Sequence, residues 1–221
     1  MVRMKRPDKA RWDEIMTRRY ARWVAVTLLL ASGCGDSPAP ETPVAKPDST
    51  SLAIIDYNKG NKFLDKEDWD TAIASYSDAI RLKPDYAKAY NNRGVAYDKK
   101  GESDAAIKDY SEGIRLKSDY AKAYNNRGIA YRKKAEYDTA IKDYSEAIGL
   151  KPDYAEAYYN RGIAYDEKGE SDAAIKDYSE AILLKPDYAE AYYNRGNAYG
   201  KKGDKTKAAA DFAKAKELEA K

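Results

Sequence analysis

The chain has 221 residues, of which 43% are hydrophobic, and its 40 Lys and Arg residues against 37 Asp and Glu give a net charge of +3. It contains no histidine and a single cysteine, which excludes imidazole general bases, Cys/His nucleophile pairs, Cys/His zinc sites and an internal disulfide. The basic excess lies largely in residues 3–22, and the rest of the chain carries no basic stripe of the kind that binds phosphates. We therefore expect neither a nucleic-acid partner nor a cofactor.

Residues 1–33 have the pattern of a secretion signal peptide. A basic segment is followed by an apolar run at residues 24–30 and by the small residues at 31–33. The apolar run is far shorter than the roughly 20 residues that a membrane-spanning helix needs. Met16 would begin a signal of more usual length, so we expect that translation starts there.

The end of this signal, Leu-Ala-Ser-Gly-Cys at residues 30–34, resembles the bacterial lipobox, with Ala31 where leucine is commonest. The resemblance implies cleavage before Cys34 and attachment of a lipid to that residue. The mature chain would then lie in the bacterial cell envelope, anchored in a membrane by its lipid and facing the periplasm or the exterior. The alternative is an ordinary cleavable signal with an incidental cysteine, which would give a secreted soluble protein.

Residues 34–51 are predicted to be a linker that begins at the lipidated cysteine. Four prolines stand among Ser, Thr, Asp and Ala, and such a composition buries too little apolar surface to fold. A proline-rich chain extends by about 3.1 Å per residue, so this segment would hold the folded part on the order of 50 Å from the lipid.

From residue 53 onward the sequence repeats every 34 residues in five copies, at 53–86, 87–120, 121–154, 155–188 and 189–221. Positions 4, 8 and 11 of each copy lie on one face of a helix, and positions 20, 21, 24, 27 and 28 lie on one face of a second helix. Position 8 is always glycine and position 24 is always aromatic: Gly60, Gly94, Gly128, Gly162 and Gly196, with Tyr76, Tyr110, Tyr144, Tyr178 and Phe212. The pattern predicts two amphipathic helices per repeat, about ten in all, with large side chains packed against small ones.

Punctuating residues mark the predicted helix boundaries. Proline at position 32 cannot continue the second helix, and the aspartate that follows is predicted to cap the next helix. Glutamate three residues after that aspartate would complete a capping box in the last two repeats. Glycine at position 15 is predicted to end the first helix. The residues concerned are Pro84, Pro152 and Pro186; Asp85, Asp153 and Asp187; Glu156 and Glu190; and Gly101, Gly169 and Gly203.

Tyrosine at position 4, glycine at 8, tyrosine at 11, alanine at 20, an aromatic at 24, alanine at 27 and proline at 32 together resemble the tetratricopeptide repeat. The resemblance covers residues 53–221 and implies an all-α fold, a right-handed superhelical α-solenoid of five helix-turn-helix repeats. Departures are local, namely Asp56 at position 4, Gly113 at position 27 and Ser118 at position 32. The resemblance also implies that the first helices line a concave groove that binds a protein or a peptide.

Position 6, on the stripe that the resemblance assigns to the groove, is asparagine in every copy. An amide donates to a peptide carbonyl and accepts from a peptide N–H, so a row of amides could hold an extended chain largely independently of its sequence. Two alternatives remain open: recent duplication made the positions alike, or the amides bridge neighbouring repeats. The residues are Asn58, Asn92, Asn126, Asn160 and Asn194.

Two further groups belong to the predicted groove. Tyr159 and Tyr193, at position 5, lie off the core stripe and are predicted to be exposed anchors for a partner. Charge differs between the central repeats, since the third is basic and the fourth acidic, and this difference favours a peptide of mixed charge. The basic residues are Lys122, Arg132 and Lys133, and the acidic ones are Glu156, Asp166 and Glu167.

Together these features predict a protein-binding scaffold of the envelope. An enzyme is not expected, because the carboxylates fall on solvated helix faces with no aligned nucleophile or base. The alternative function is a self-associating structural subunit of an envelope assembly or secretion complex, in which an exposed end of the solenoid stacks on another copy.

Overall fold

The structure is a computed structural model that describes residues 48–220. The predicted signal peptide, the lipidation site Cys34 and all but the last few residues of the linker lie outside the described residues. Within the described part, no helix is long and apolar enough to cross a membrane.

The described residues form ten α-helices and no β-strand, which confirms the predicted all-α solenoid of five helix-turn-helix repeats. The odd-numbered helices are the first helices of the repeats and the even-numbered ones are the second. In chain order the helices are α1 Ser49–Leu64, α2 Trp69–Leu82, α3 Ala87–Lys99, α4 Ser103–Leu116, α5 Ala121–Lys133, α6 Tyr137–Leu150, α7 Ala155–Glu167, α8 Ser171–Leu184, α9 Ala189–Lys201 and α10 Lys205–Glu219.

Each helix packs most extensively on its partner within the repeat, and each second helix also packs on the first helix of the following repeat. The first helices of neighbouring repeats touch one another directly, whereas among residues 48–220 the second helices of neighbouring repeats do not. The stack therefore curves with the first helices inside, and these helices form its concave surface.

The core is built on the predicted match of glycine and aromatic. In the third repeat, Tyr144 is fully buried and its ring lies over Gly128, where an added Cβ would be 2.7 Å from ring atom Cε1. The other four repeats show the same close approach. In the central repeat, the alanines at positions 10 and 20, which are Ala130 and Ala140, have no exposed surface. Small residues thus let the first helix lie against both the ring of its own repeat and the repeat before it.

The predicted caps of the first helices are wrong. Each of these helices after the first begins one residue later than an aspartate cap requires, so the N-cap is a tyrosine without a side-chain capping bond, as at Tyr154. The aspartate instead takes part in the preceding turn, where the backbone carbonyl of Asp153 accepts from the N–H of Ala155 at 3.1 Å. Glu156 is consequently at the second helical position, where it cannot complete a capping box.

The predicted ends of the first helices are confirmed at the glycines of position 15. Gly101, Gly169 and Gly203 have φ values of +81°, +87° and +81°, a conformation that glycine adopts without a steric cost. The same turn occurs in the first and third repeats with side chains present, because Glu67 and Ala135 both have φ of 59°.

Candidate protein-binding surface

The asparagines of position 6 connect the first helices along the concave surface. Nδ2 of Asn126 donates to Oδ1 of Asn91 at 3.1 Å, and Nδ2 of Asn160 donates to Oδ1 of Asn125 at 3.0 Å. At the ends of the row the acceptor is a phenol or another amide. Asn92 donates to Tyr57 and Asn61, and Asn194 donates to Tyr159. Bridging of neighbouring repeats, one of the alternatives left open by the sequence, is therefore what the amide donors do.

The side-chain oxygens of these asparagines, unlike their N–H donors, are mostly not used in contacts between repeats. Within residues 48–220, Oδ1 of Asn126, Asn160 and Asn194 accepts no hydrogen bond. Asn58, which has no preceding repeat to donate to, is exposed and makes no side-chain hydrogen bond in that part of the chain. A row of carbonyl oxygens thus remains able to accept from N–H donors of a ligand. The binding of a peptide by this row stays a prediction.

The two predicted tyrosine anchors differ from each other. Tyr193 is 52% exposed, as predicted. Tyr159 is not an exposed anchor, because it is partly buried between Tyr178 and Tyr188, with ring centroids 6.0 and 4.8 Å away. Its hydroxyl accepts from Asn194 at 3.0 Å. Tyr159 therefore joins the fourth repeat to the fifth.

The tyrosines of position 34 also belong to this surface, although sequence reasoning missed them. They precede the first helices and lie near the residues of position 5, as Tyr86 does with its ring centroid 5.0 Å from that of Tyr57. Burial raises the pKa of Tyr120 to about 12 and also raises that of Tyr154, so both hydroxyls remain protonated at neutral pH. The strict recurrence of tyrosine at position 34 was the available signal. The set is Tyr86, Tyr120, Tyr154 and Tyr188.

Most of the predicted groove charges form ion pairs between neighbouring first helices. Lys133 contacts Asp98 and Arg132 contacts Glu167, each at 2.7 Å. Lys201 contacts Asp166 at 2.7 Å in the same way. The prediction that Arg132 and Lys133 present basic charge to a partner therefore needs correction, since each is already neutralised by the adjoining repeat.

The charges at position 2 are the ones left available. All four are exposed, and within residues 48–220 none of them forms an ion pair. They change sign along the solenoid, from lysine in the second and third repeats to glutamate in the fourth and fifth. The residues are Lys88, Lys122, Glu156 and Glu190. The predicted charge difference thus persists, on fewer residues.

A buried ionic cluster holds the repeats together on the other side of the first helices, and sequence reasoning missed it. Arg127 donates from Nε and Nη2 to both oxygens of Asp143 at 2.7 and 2.8 Å. Its Nη1 donates to the hydroxyl of Ser111 in the preceding repeat at 3.0 Å, and that hydroxyl donates to the carbonyl of Ile107 at 2.7 Å. One guanidinium therefore ties together three helices with charge-assisted bonds.

The described residues contain four such clusters in all, one in each repeat from the second to the fifth. The other copies join Arg93 with Asp109 and Ser77, Arg161 with Asp177 and Ser145, and Arg195 with Asp211 and Ser179. The first repeat has Lys59 in place of the arginine and Ser75 in place of the aspartate. Joint loss of both partners in one repeat was the sequence signal that they contact each other.

The described residues contain no group of three acidic, Cys or His side chains that could hold a metal ion. The surface instead offers carbonyl acceptors, phenols and a graded row of charges on a rigid curved support, which is an arrangement suited to non-covalent binding of a polypeptide.

Comparison with known proteins agrees with this geometry. Residues 60–101, 130–169 and 164–203 match a family model described as TPR repeat, and residues 87–120 and 189–221 match models described as tetratricopeptide repeat. The chain belongs to the tetratricopeptide repeat family, and its fold makes it a protein–protein interaction scaffold.

Among solved structures, the chain is similar to the MamA protein, with 34% identity over 76% of this chain and 92% of that one and a TM-score of 0.67. Residues from 41 to the end of MamA from Desulfovibrio magneticus RS-1 share the fold at 23% identity, covering 80% and 98% of the two chains with a TM-score of 0.70. YrrB, described as a TPR protein with an unusual peptide-binding site, shares the fold at 24% identity, covering 75% and 86% with a TM-score of 0.62. No curated protein matches the sequence significantly.

Proposed function

We propose that the chain is a non-enzymatic scaffold of the bacterial cell envelope that binds an extended peptide or a partner helix along its concave surface. The observation that carries the proposal is the row of amide oxygens on the first helices. The donors of these amides are used between repeats, which fixes the side chains in place before a ligand arrives. Prior ordering of a binding group lowers the entropy lost on association.

The charges of position 2 give the bound peptide a direction. Lysines at positions 88 and 122 favour acidic side chains beside the second and third repeats, and glutamates at positions 156 and 190 favour basic side chains beside the fourth and fifth. A peptide with the opposite order of charges would place like charges together. The preferred ligand is therefore acidic at one end and basic at the other.

A paired charge exchange tests the groove. In the variant Lys122→Glu with Glu156→Lys, both changes fall on exposed, unpaired residues and the net charge is unchanged. Recovery of crosslinked partners from the envelope should fall by about tenfold, as a loss of about 1.4 kcal/mol would produce.

The matched control is Lys142→Glu with Glu146→Lys on the exposed side of α6, which also preserves the net charge. It should recover partners as the natural chain does. Equal recovery by the groove variant and the control would end the proposal of a concave binding site.

The location in the envelope rests on the lipobox-like sequence at Cys34 and the proline-rich linker after it. Replacement Cys34→Ser should move the protein from the membrane fraction to the soluble fraction. A serine variant that still sediments with membranes would remove the lipid anchor from the proposal.

The first repeat gives less support to the alternative function, which is self-association by stacking of one solenoid on another. Position 3 and position 10 are fully buried alanines where one repeat docks on the one before, as at Ala123 and Ala130. In the first repeat the same positions hold Ile55 and Lys62, which are too large for that close approach. Sedimentation of the purified chain over a range of concentrations tests this, and we expect a mass that does not depend on concentration.

A further inference from the structure

The concave surface also carries an apolar row, at position 9 of the repeats. Val95, Ile129 and Ile163 hold this position in the second, third and fourth repeats. Each of them is partly exposed, and each packs against the core cluster around the buried tyrosine of its own repeat. Because they hold the same position on successive first helices, they form a row that crosses three repeats. We call this row the apolar strip.

The apolar strip has a defined length, because asparagine stands at position 9 in the first and fifth repeats. In the first repeat, Oδ1 of Asn61 accepts from the hydroxyl of Tyr76 at 2.8 Å and from Nδ2 of Asn92 at 2.9 Å. In the fifth repeat, the side chain of Asn197 is partly exposed. A ligand on this surface therefore meets three apolar side chains in succession, with an amide beyond each end.

Polar groups border the apolar strip on both sides. The asparagines of position 6 lie one helical turn before it, with the side-chain oxygens that are free to accept. Positions 12 and 13 lie one turn after it and carry ion pairs, so most of their charge is already neutralised. Lys99 is exposed and forms no ion pair within residues 48–220, which leaves one positive charge beside the second repeat. The pairs are Lys133 with Asp98, Arg132 with Glu167 and Lys201 with Asp166.

The spacing of the apolar strip favours one conformation of a bound peptide. The first helices of neighbouring repeats are in contact, and packed helices lie about 8–10 Å apart, so the apolar residues recur at about that distance. A polyproline II helix rises about 3.1 Å per residue with three residues per turn, so its side chains return to the same side about every 9.3 Å. In a β-strand they return about every 6.8 Å, after two residues. One turn of polyproline II therefore matches one repeat of the solenoid.

An α-helical ligand matches the spacing but not the acceptors. Seven residues of an α-helix span about 10.5 Å and bring a side chain back to nearly the same side. The backbone N–H groups of a helix are used within it, so they cannot donate to the asparagine oxygens beside the strip. A polyproline II chain makes no internal hydrogen bond and keeps its N–H groups available. The free asparagine oxygens therefore favour a polyproline II chain over a helix.

We propose that the apolar strip selects a peptide in the polyproline II conformation with an apolar side chain at every third residue, three in all. These side chains pack on Val95, Ile129 and Ile163, and N–H groups of the peptide donate to the asparagine oxygens of position 6. Prolines between the apolar residues favour this conformation before binding, which lowers the entropy lost on association. The inference rests on the concave binding site proposed above and specifies the class of its ligand.

The test is fluorescence anisotropy of the purified full chain with a fluorescein-labelled probe peptide of three Leu-Pro-Ser units with blocked termini. The matched control has the same composition with leucine at every second residue, Leu-Pro-Leu-Ser-Leu-Pro-Ser-Pro-Ser. The probe should bind at least about tenfold more tightly, because the control cannot place its leucines on successive repeats. An alanine-rich helical peptide with leucine at every seventh residue should also bind at least about tenfold more weakly than the probe. Equal binding by either comparison peptide would overturn the proposal.

Variants of the protein locate the binding of the probe. Ile129→Asn puts an amide at the centre of the apolar strip and should weaken binding by about tenfold, whereas Ile129→Val should keep it within about twofold. Ile141→Asn is the matched control, because Ile141 packs on the same core cluster from the second helix. Circular dichroism melting should show a similar loss of stability for both asparagine variants, yet Ile141→Asn should bind the probe as the natural chain does. Unchanged binding by Ile129→Asn, or an equal loss in both, would overturn the proposal.

The charge exchange Lys122→Glu with Glu156→Lys separates this inference from the proposed function. The peptide part of the probe is uncharged, so this variant should bind it as the natural chain does. No binding of the probe, while the exchange still lowers the recovery of partners from the envelope, would refute the polyproline II ligand and leave the concave binding site. The peptide comparisons use the natural chain and do not depend on the folding of any variant.

Discussion

Replacement of Gly128 by alanine probes the contact on which each repeat is built. The new Cβ would be 2.7 Å from Cε1, 2.9 Å from Cδ1 and 3.0 Å from Cζ of Tyr144. That ring is fully buried and lies between two helices. Neither the ring nor the helix can move away without disturbing the contacts of the neighbouring repeat.

The magnitude follows from two opposed effects. Overpacking of a close-packed core costs about 1–3 kcal/mol, and the upper part of this range applies where the opposing ring is immobile. Alanine is preferred over glycine in a helix interior by about 1 kcal/mol, which offsets part of the strain. We expect Gly128→Ala to reduce the free energy of unfolding by about 2 kcal/mol.

Gly149→Ala is the matched control, because it makes the same chemical change in a helix where an added Cβ meets no atom within 4 Å. It should leave stability unchanged or raise it by up to about 1 kcal/mol. Urea unfolding followed by circular dichroism measures both variants, and a shifted midpoint with an unchanged slope reports a change in stability alone. Equal midpoints for the two variants would refute the idea that the tyrosine ring imposes glycine at position 8.

Three other outcomes follow from contacts described above, each measured by the same unfolding experiment. Asp143→Ala leaves the guanidinium of Arg127 partly buried without its carboxylate and should reduce the free energy of unfolding by about 2–3 kcal/mol. The control Asp138→Ala removes a carboxylate that is 82% exposed in its ion pair and should reduce it by less than about 0.5 kcal/mol. Similar reductions for the two variants would contradict the assignment of the buried cluster as the main ionic link between repeats. Ala135→Gly should stabilise by about 0.5–1 kcal/mol, because it removes a Cβ from a residue with positive φ, and a loss of stability would show that this turn is not strained. Alkaline pH should destabilise the chain, because burial raises the pKa of Tyr120 to about 12. The contribution of the neutral Tyr120 phenol to stability is fully present below the unfolded-state pKa of about 10 and is lost as the pH rises through 12. A urea midpoint that does not change between pH 9 and pH 12 would contradict the burial of the Tyr120 phenol.

The sequence predicted the helices and the core because both depend on residue types at fixed spacing. Gly128 and Tyr144 stand sixteen residues apart in one repeat, and their sizes indicated that large residues of the second helix pack against small residues of the first. The pairing of these particular positions required the structure, since several small residues share the same helix face.

The buried cluster and the helix starts were harder to predict for different reasons. Arg127 reaches Ser111 across a repeat boundary, and such a contact depends on the angle between repeats, which periodicity does not determine. Asp153 was predicted as a cap because its residue type is favourable, yet the backbone enters the helix one residue later, at Tyr154. The preference of aspartate for N-cap positions therefore did not show at which residue the helix begins.

The asparagines predicted to line a groove lie on the first helices along the concave surface, but most of their donors proved to bridge neighbouring repeats. An amide has a donor and an acceptor, and a single sequence cannot tell which of these the folded chain already uses. The same holds for Arg132 and Lys133, whose partners lie 35 residues away in the adjoining repeat.

The ion pairs of the concave surface alternate in polarity, and this gives similar repeats a fixed order. Joining the second repeat directly to the fourth would set Asp98 against Glu167, and joining the third to the fifth would set Arg132 against Lys201, so like charges would meet in both cases. Glycine and tyrosine would pack equally well in these wrong arrangements. Charge reversal therefore disfavours skipped repeats during folding, which are a characteristic error of repetitive sequences.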